Sequence, residues 1–387
     1  MAQLVLPNSD GSLSAYRAKR REPFPQFCSA AFPRVVYAAA HVVADPLRTV
    51  DPWGKCVVDW EATMAFRRHL WGLGFRIAEA MDTSQRGMGF DWEQAKELIR
   101  RTLAEARHVA GADLASGAGT DHLDPRAVHT LDDVVRAYDM QAEFIETHGG
   151  RIILMASRTL AAIALSPDDY FKVYDRVLSA CRNKVILHWL GDMFDPALKG
   201  YWGSGDVATA MNCCCAIIEA HKTKIDGIKI SLLEPSHEIA LRRRLPDGVR
   251  MYTGDDFNYA ELIAGDAQGH SHGLLGIFDA IAPAAAAALV KLGDEDRAGY
   301  DAILAPTVPL SRKIFEAPTQ YYKAGIVFLA WLNGFQDHFT MIGGMQSSRS
   351  ILHYADVFRL AHDAGMLIAP DLASARMRHL CGAHGIQ

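Results

Sequence analysis

Eight short runs of apolar or β-branched residues recur along this chain, each followed by a longer amphipathic stretch. They are "VVYAAAHVV" (35–43), "FRIAEAM" (75–81), "VAGADLASG" (109–117) and "RIILMAS" (151–157), then "VILHWLG" (185–191), "IDGIKISLL" (225–233), "VRMYTGDD" (249–256) and "GLLGIFDA" (273–280). Two of the intervening stretches, "DWEQAKELIRRTLAEAR" and "SPDDYFKVYDRVLSACRN", open on acidic residues and close on basic ones, as a helix dipole favours. Eight β/α units in one stretch of this size predict an α/β protein of the (β/α)8 TIM-barrel class rather than an open doubly wound sheet. No glycine-rich dinucleotide fingerprint follows the first run; "AHVVADPLRTVDPWG" has none.

The barrel is expected over residues 35–283. Before it, in 1–34, the Asn-Ser-Asp-Gly turn of "LVLPNSDGSLSAYR" predicts a hairpin extension. After it, 284–387 predicts a helical appendage, because "APAAAAALVKLGDEDRAGYDAIL", "TQYYKAGIVFLAWLNGF" and "SILHYADVFRLAHDAG" share helical periodicity.

Half of the 387 residues are hydrophobic, enough for one large core or two medium ones. A net charge of −5 with no basic stripe argues against nucleic acid as a partner, and "YRAKRRE" (16–22) reads as a solvated arm. No run is apolar enough to span a membrane and no signal-peptide core opens the chain, so a cytoplasmic protein without a membrane partner is expected. Seven cysteines do not suggest a secreted disulfide framework. Cys213, Cys214 and Cys215 fall in a predicted helix, where neighbouring side chains diverge by about 100°, so they read as packing residues rather than metal ligands. "GHSHG" (269–273) precedes the eighth strand and reads as a loop at the barrel's bottom. No metal or cofactor is expected.

Active sites of such barrels lie at the C-terminal ends of the strands. Polar residues late in the runs are His41, Glu79, Asp113 with Ser116, Ser157 with Arg158, His188, Lys229 with Ser231, Asp255 with Asp256, and Asp279. On the sixth run, alternation sets Gly227, Lys229 and Ser231 against Ile228, Ile230 and Leu232. The isoleucine face meets the helices, which leaves Lys229 inside the barrel. A lysine stripped of water loses basicity, and its neutral amine attacks carbonyls to form a Schiff base. A lysine paired with Asp255 or Glu79 for structural reasons fits the same strand.

The surrounding motifs resemble those of the dihydrodipicolinate synthase and N-acetylneuraminate lyase family. "DGIKIS" resembles that family's "GIK-(D/E)-x-(S/T)" strand, whose lysine forms the imine. "DPWGKCVVDWE" (51–61), "AMDTSQRGMGFDWEQ" (80–94), "VILHWLG", "MYTGDD", "SHGLLGIFDAIAP" and "RKIFEAPTQYYKAGIVFLAWLNG" (312–334) follow in the family's order, with Lys323 in place in the last. The chain also resembles the DUF993 family, a group placed beside the synthases. Departures are plain: His188 stands where the family has a relay tyrosine, Asp82 replaces a glycine, and Arg86 falls near the usual glutamate. Ser157 and Arg158 replace aromatic residues, and "GTDHLDPRAVHTLDDVVRAY" is inserted after the third strand.

The resemblance implies a lyase of the class I aldolase type, acting on a small-molecule carbonyl substrate, a 2-oxo acid or keto-sugar derivative. Lys229 would form the imine and His188 would move protons. Thr83 and Ser84 would hold a carboxylate, Arg158 an anionic group, and Asp255 and Ser231 substrate polar groups. Asp256 suits a helix cap as well. Relatives imply a homo-oligomer, a dimer or tetramer. A rival expectation is a divalent-metal sugar isomerase, epimerase or aldolase using Glu79, Asp113, His41 and His188; a further one is a ligand-binding barrel without catalysis.

Overall fold

The computed structural model describes residues 4–19, 21–48, 51, 53–124 and 126–386. Arg20 of the basic run, Pro52 and Pro125 of the quoted segments, and residues 1–3 and 387 of the expected flanking regions lie outside the described residues. Two strands, β1 (Leu4–Pro7) and β2 (Leu13–Tyr16), form the antiparallel hairpin that the Asn-Ser-Asp-Gly turn predicts. Eight parallel strands then close a barrel in sequence order. They are β3 (Val36–Ala39), β4 (Arg76–Glu79), β5 (Leu114–Ala118), β6 (Arg151–Leu154), β7 (Val185–Leu190), β8 (Ile225–Ser231), β9 (Arg250–Thr253) and β10 (His272–Leu275).

Side-chain parity fixes what faces the barrel axis. Tyr37, Ala39, Ala78, Ala115, Ile153, Ile186, Tyr252 and Leu274 pack together as the interior layers, and the alternate residues join the larger core under the helices. Small residues, Ala39, Ala78 and Ala115, share these layers with the bulkier tyrosines and isoleucines. The two helices expected from dipole patterning form as Trp92–Ala106 and Pro167–Ala180. Asp91 makes a capping box with Gln94 at the first, and Pro167 opens the second. Their basic residues stand just outside the last turns, Arg107 as a C-cap and Arg182 beyond Cys181.

Several placements differ from the sequence expectation. Asp113 precedes β5 and lies at the barrel's closed end, where it is held by Arg76 and Arg151 at 3.3 Å each. Ser157 caps the short helix Arg158–Ile163 instead of ending β6. Asp279 sits in the first turn of helix Ile277–Gly293, which bends at Ile281 ahead of Pro283 and runs across the expected boundary at 283/284. His272 of "GHSHG" opens β10 and accepts a hydrogen bond from Val35 N at 2.9 Å. Cys213 and Cys214 are buried on helix Val207–Ala220, as packing residues.

Five further helices complete the chain: Arg297–Leu304, Thr307–Ile314, Lys323–Leu332, Ile351–Asp363 and Pro370–Ala383. Every residue of Lys323–Leu332 is buried. A helix apolar all round requires cover on all sides; the two last helices and helix Ile277–Gly293 supply it. The N-terminal hairpin docks on the same helices, Tyr16 OH meeting His362 Nδ1 at 2.8 Å and Arg359 donating to Pro7 O at 3.0 Å. None of the helices among the described residues is long and apolar enough to cross a membrane.

Candidate active site

Lys229 stands on β8 between His188 of β7 and Tyr252 of β9, its cross-strand neighbours. It is 8% exposed and makes no hydrogen bond or ion pair among the described residues. Burial pushes its amine below the usual lysine range, while the Asp256 and Asp82 carboxylates pull it partly back. Gly254 makes the necessary room: a Cβ there would stand 2.6 Å from Lys229 Cε and 2.2 Å from Ser231 Oγ.

His188 is buried on the same inward face. Burial, then the Lys229 charge, drives its imidazole well below the ordinary value, so it is a neutral base at physiological pH. Ser231, two residues beyond Lys229, lies 3.5 Å from His188 Nε2. A cavity of about 230 Å³ opens beside His188, lined by Asp82, Arg86, Asp121, Arg158, His188 and Asp195 among others. Lys229 itself is not in its wall. His188 and Asp82 line this cavity and both act on the amine, His188 as its cross-strand neighbour and Asp82 through its charge.

Asp82–Ser84 form one turn of 3-10 helix after β4. Ser84 Oγ donates back to Met81 O at 2.7 Å, the role of a turn cap. Thr83 Oγ1 instead lies 2.8 Å from Tyr322 OH. Asp255 accepts from Phe257 N, Asn258 N and Asn258 Nδ2, and burial raises its carboxyl. Asp256 accepts from Ile277 N at 2.8 Å and thus closes the start of helix Ile277–Gly293. Burial lifts its carboxyl to about 7, and Lys229 is among the groups that oppose the lift. Arg158 donates to Asp195 Oδ2 at 2.5 Å on the cavity wall, with half of its side chain exposed.

Three participants had no role assigned to them from the sequence. Tyr322 is buried, bonded to Thr83 and stacked on Phe315 at 4.3 Å; burial, then the Asp82 charge, raises its phenol well above the usual value. Lys323 is buried next to it, its amine brought down to about 8 by burial, with Nζ donating to Gln320 O at 3.0 Å. Asp82 was visible only as a departure from a glycine, yet its charge acts on Lys229, Tyr322 and Lys323 alike. Arg86, the other departure, is locked by Asp121 at 2.7 and 2.9 Å and lies over the Trp92 ring at 5.0 Å. Asp121 comes from the inserted segment after β5.

The four candidate metal ligands do not converge. Glu79 points outward into a bidentate pair with Arg67 at 2.8 and 2.9 Å and accepts from Thr102. Asp113 is at the opposite end, and His41 Nδ1 is taken by Asp279 at 2.8 Å. Among the described residues no cluster of three or more histidine, cysteine or acidic side chains is arranged to hold a metal ion.

Solved dihydrodipicolinate synthases share the closed eight-stranded barrel. The chain is similar to the DHDPS of Cyanidioschyzon merolae solved with lysine bound (TM-score 0.64, 14% identity, 87% of this chain and 99% of that one). It is also similar to the chloride-inhibited synthase of Acinetobacter baumannii complexed with pyruvate (TM-score 0.62, 14%, 87% and 100%). The synthase of Aquifex aeolicus aligns with a TM-score of 0.60 at 10% identity, over 91% and 98% of the two chains. At such identities the likeness establishes the fold. The family model described as "Protein of unknown function (DUF993)" matches residues 4–386, and the chain belongs to that family. No curated protein matches the sequence.

Proposed function

We propose that this protein is a Schiff-base-forming lyase of the class I aldolase type, with a 2-oxo acid or keto-sugar derivative as substrate. The observation that carries the reading is the buried, unpaired Lys229 amine with the neutral His188 imidazole as its cross-strand neighbour. The neutral amine adds to the substrate ketone, and the carbinolamine takes up a proton on its hydroxyl and loses water to leave a protonated imine. His188 then takes the proton of the substrate's β-hydroxyl. The C–C bond breaks, the aldehyde departs, and the bonding electrons enter the imine as an enamine. Protonation of the enamine carbon and hydrolysis of the imine by water return the free lysine. Condensation is the same path reversed.

The Thr83–Tyr322 hydroxyl pair suits proton transfer at the carbinolamine, and Arg158 suits an anionic substrate group. Ser231 orients His188. Pyruvate, bound in the Acinetobacter structure, is a 2-oxo acid and the first probe to try. A cytoplasmic homo-oligomer, dimer or tetramer, belongs to the same reading, and light scattering on the purified protein measures it. The metal reading draws no support from the dispersed Glu79, Asp113 and His41.

Borohydride reduction in the presence of pyruvate and a panel of 2-oxo acids and keto-sugars is expected to leave an adduct that peptide mapping places on Lys229. Lys229→Ala is expected to give none. An adduct on another lysine, or none with any carbonyl compound, would overturn the proposal.

A further inference from the structure

The closed end of the barrel holds a feature that the chemistry at Lys229 does not use. Interior parity puts Arg76, Arg151 and Arg250, the first residues of β4, β6 and β9, on the barrel axis below Ala78, Ile153 and Tyr252. Lys184, two residues before the interior Ile186, faces the same way. On β8 the register slips between Val185 and Ile186, leaving Asp226 as an extra residue without a partner on β7. The bulge lets Asp226 reach Tyr252 OH, which donates to it at 2.6 Å, and pair with Arg250.

These residues enclose a cavity of about 430 Å³ lined by Tyr37, Arg76, Arg151, Lys184, Asp226 and Arg250 among others, a volume typical of small-molecule sites. The buried Tyr37 and Tyr252 rings meet edge to face at 5.9 Å above it. They separate the cavity from the Lys229 end.

The charges around the rim do not cancel. Four cations face two carboxylates, Asp113 and Asp226. Asp113 is divided between Arg76 and Arg151, both contacts at 3.3 Å to the same oxygen. The Lys184 side chain has no hydrogen bond or ion pair among the described residues. His272, the first residue of β10, is neutral, since burial and neighbouring cations take its imidazole down to about 4. A surplus of positive charge here contrasts with the chain's net −5. Helix carboxyl ends at this face explain basic residues such as Arg107 and Arg182 on the outside. They do not explain cations at the first positions of strands, turned inward.

We propose that the closed end of the barrel is a second binding site, for a small molecule carrying a phosphate group. The cations come from β4, β6, β9 and the residue just before β7 and converge from different sides, which suits a tetrahedral dianion better than a planar carboxylate. Three of them are guanidinium forks able to grip phosphate oxygens in pairs.

Calorimetric titration with inorganic phosphate, pyrophosphate and succinate, at ionic strength fixed by chloride, tests the proposal. Pyrophosphate is expected to bind saturably, with succinate at least about tenfold weaker. The double variant Arg151→Ala/Lys184→Ala is expected to weaken pyrophosphate by about tenfold or more, whereas Arg107→Ala, outside the cavity, leaves it unchanged. Both wild-type positions are solvent-accessible, and melting curves without ligand confirm the variants' fold; Lys184→Glu serves as a single-site check with the same expected loss. Absence of saturable binding, equal affinity for succinate, unchanged binding in the double variant, or loss in Arg107→Ala would each overturn it.

Discussion

The Cβ that an alanine would place at residue 254 overlaps Ser231 Oγ and Lys229 Cε, at 2.2 and 2.6 Å, and Ile230 O at 2.8 Å. The backbone oxygen cannot yield, so Gly254→Ala must displace the lysine or the strand. Overpacking of this kind costs about 1–3 kcal/mol, and trapping of a carbonyl compound at Lys229 is expected to fall steeply. Urea unfolding and adduct yield measure the two effects separately. The inward direction of Lys229 was legible in the sequence because strand alternation decides it, whereas His188 was singled out by its place in the family resemblance. Glu79 was misjudged by one position: Ala78 holds the inward place, and Glu79 turns out to Arg67. Tyr322 was not legible at all, since nothing near it in sequence announces the Thr83 hydroxyl it meets.

Among the elements, the eight strands were recognisable from their apolar content, but their starts were not. The run containing Asp113 begins as strand only at Leu114, which moves that carboxylate from the expected mouth to the closed end. The short helix Pro235–Arg242 buries Glu238, whose Oε1 accepts from Ser271 at 2.6 Å. Burial raises its carboxyl from 4.5 to about 8. A raised pKa means the folded protein holds the proton more tightly, so this contribution to stability is complete below pH 4.5 and is lost as pH rises through about 8. Asp256 acts in the same sense up to about 7, and the depressed His188 and Lys229 act in the opposite one. Glu238→Gln is therefore expected to flatten the fall in melting temperature between about pH 5 and pH 8 relative to the parent. A parallel pair of melting profiles would count against a buried, proton-holding Glu238.

At the scale of the whole molecule, the two flanking regions are one structure. Leu4 and Leu6 of the hairpin are buried, and Lys19 N donates to His362 Nε2 at 2.8 Å beside the Tyr16 contact. Burial of each leucine is worth about 1.5–3 kcal/mol. Removing residues 1–18 is thus expected to lower unfolding stability by about 3–6 kcal/mol, read from urea denaturation, without touching any residue of the barrel. The barrel was foreseeable from eightfold repetition. This docking was not, because it joins segments some three hundred residues apart through single side chains.

The wholly buried helix Lys323–Leu332 follows directly on Tyr322 and begins with Lys323, and it is sheathed by the last two helices of the described chain. On a ribosome, Lys229 is made long before that sheath exists. A growing chain therefore carries Lys229 before Tyr322, Lys323 and the helices that bury them exist. On the proposed reading, competence for carbonyl chemistry should arrive only once residues 351–383 have been made, and a product terminated before them should be inert rather than indiscriminately reactive.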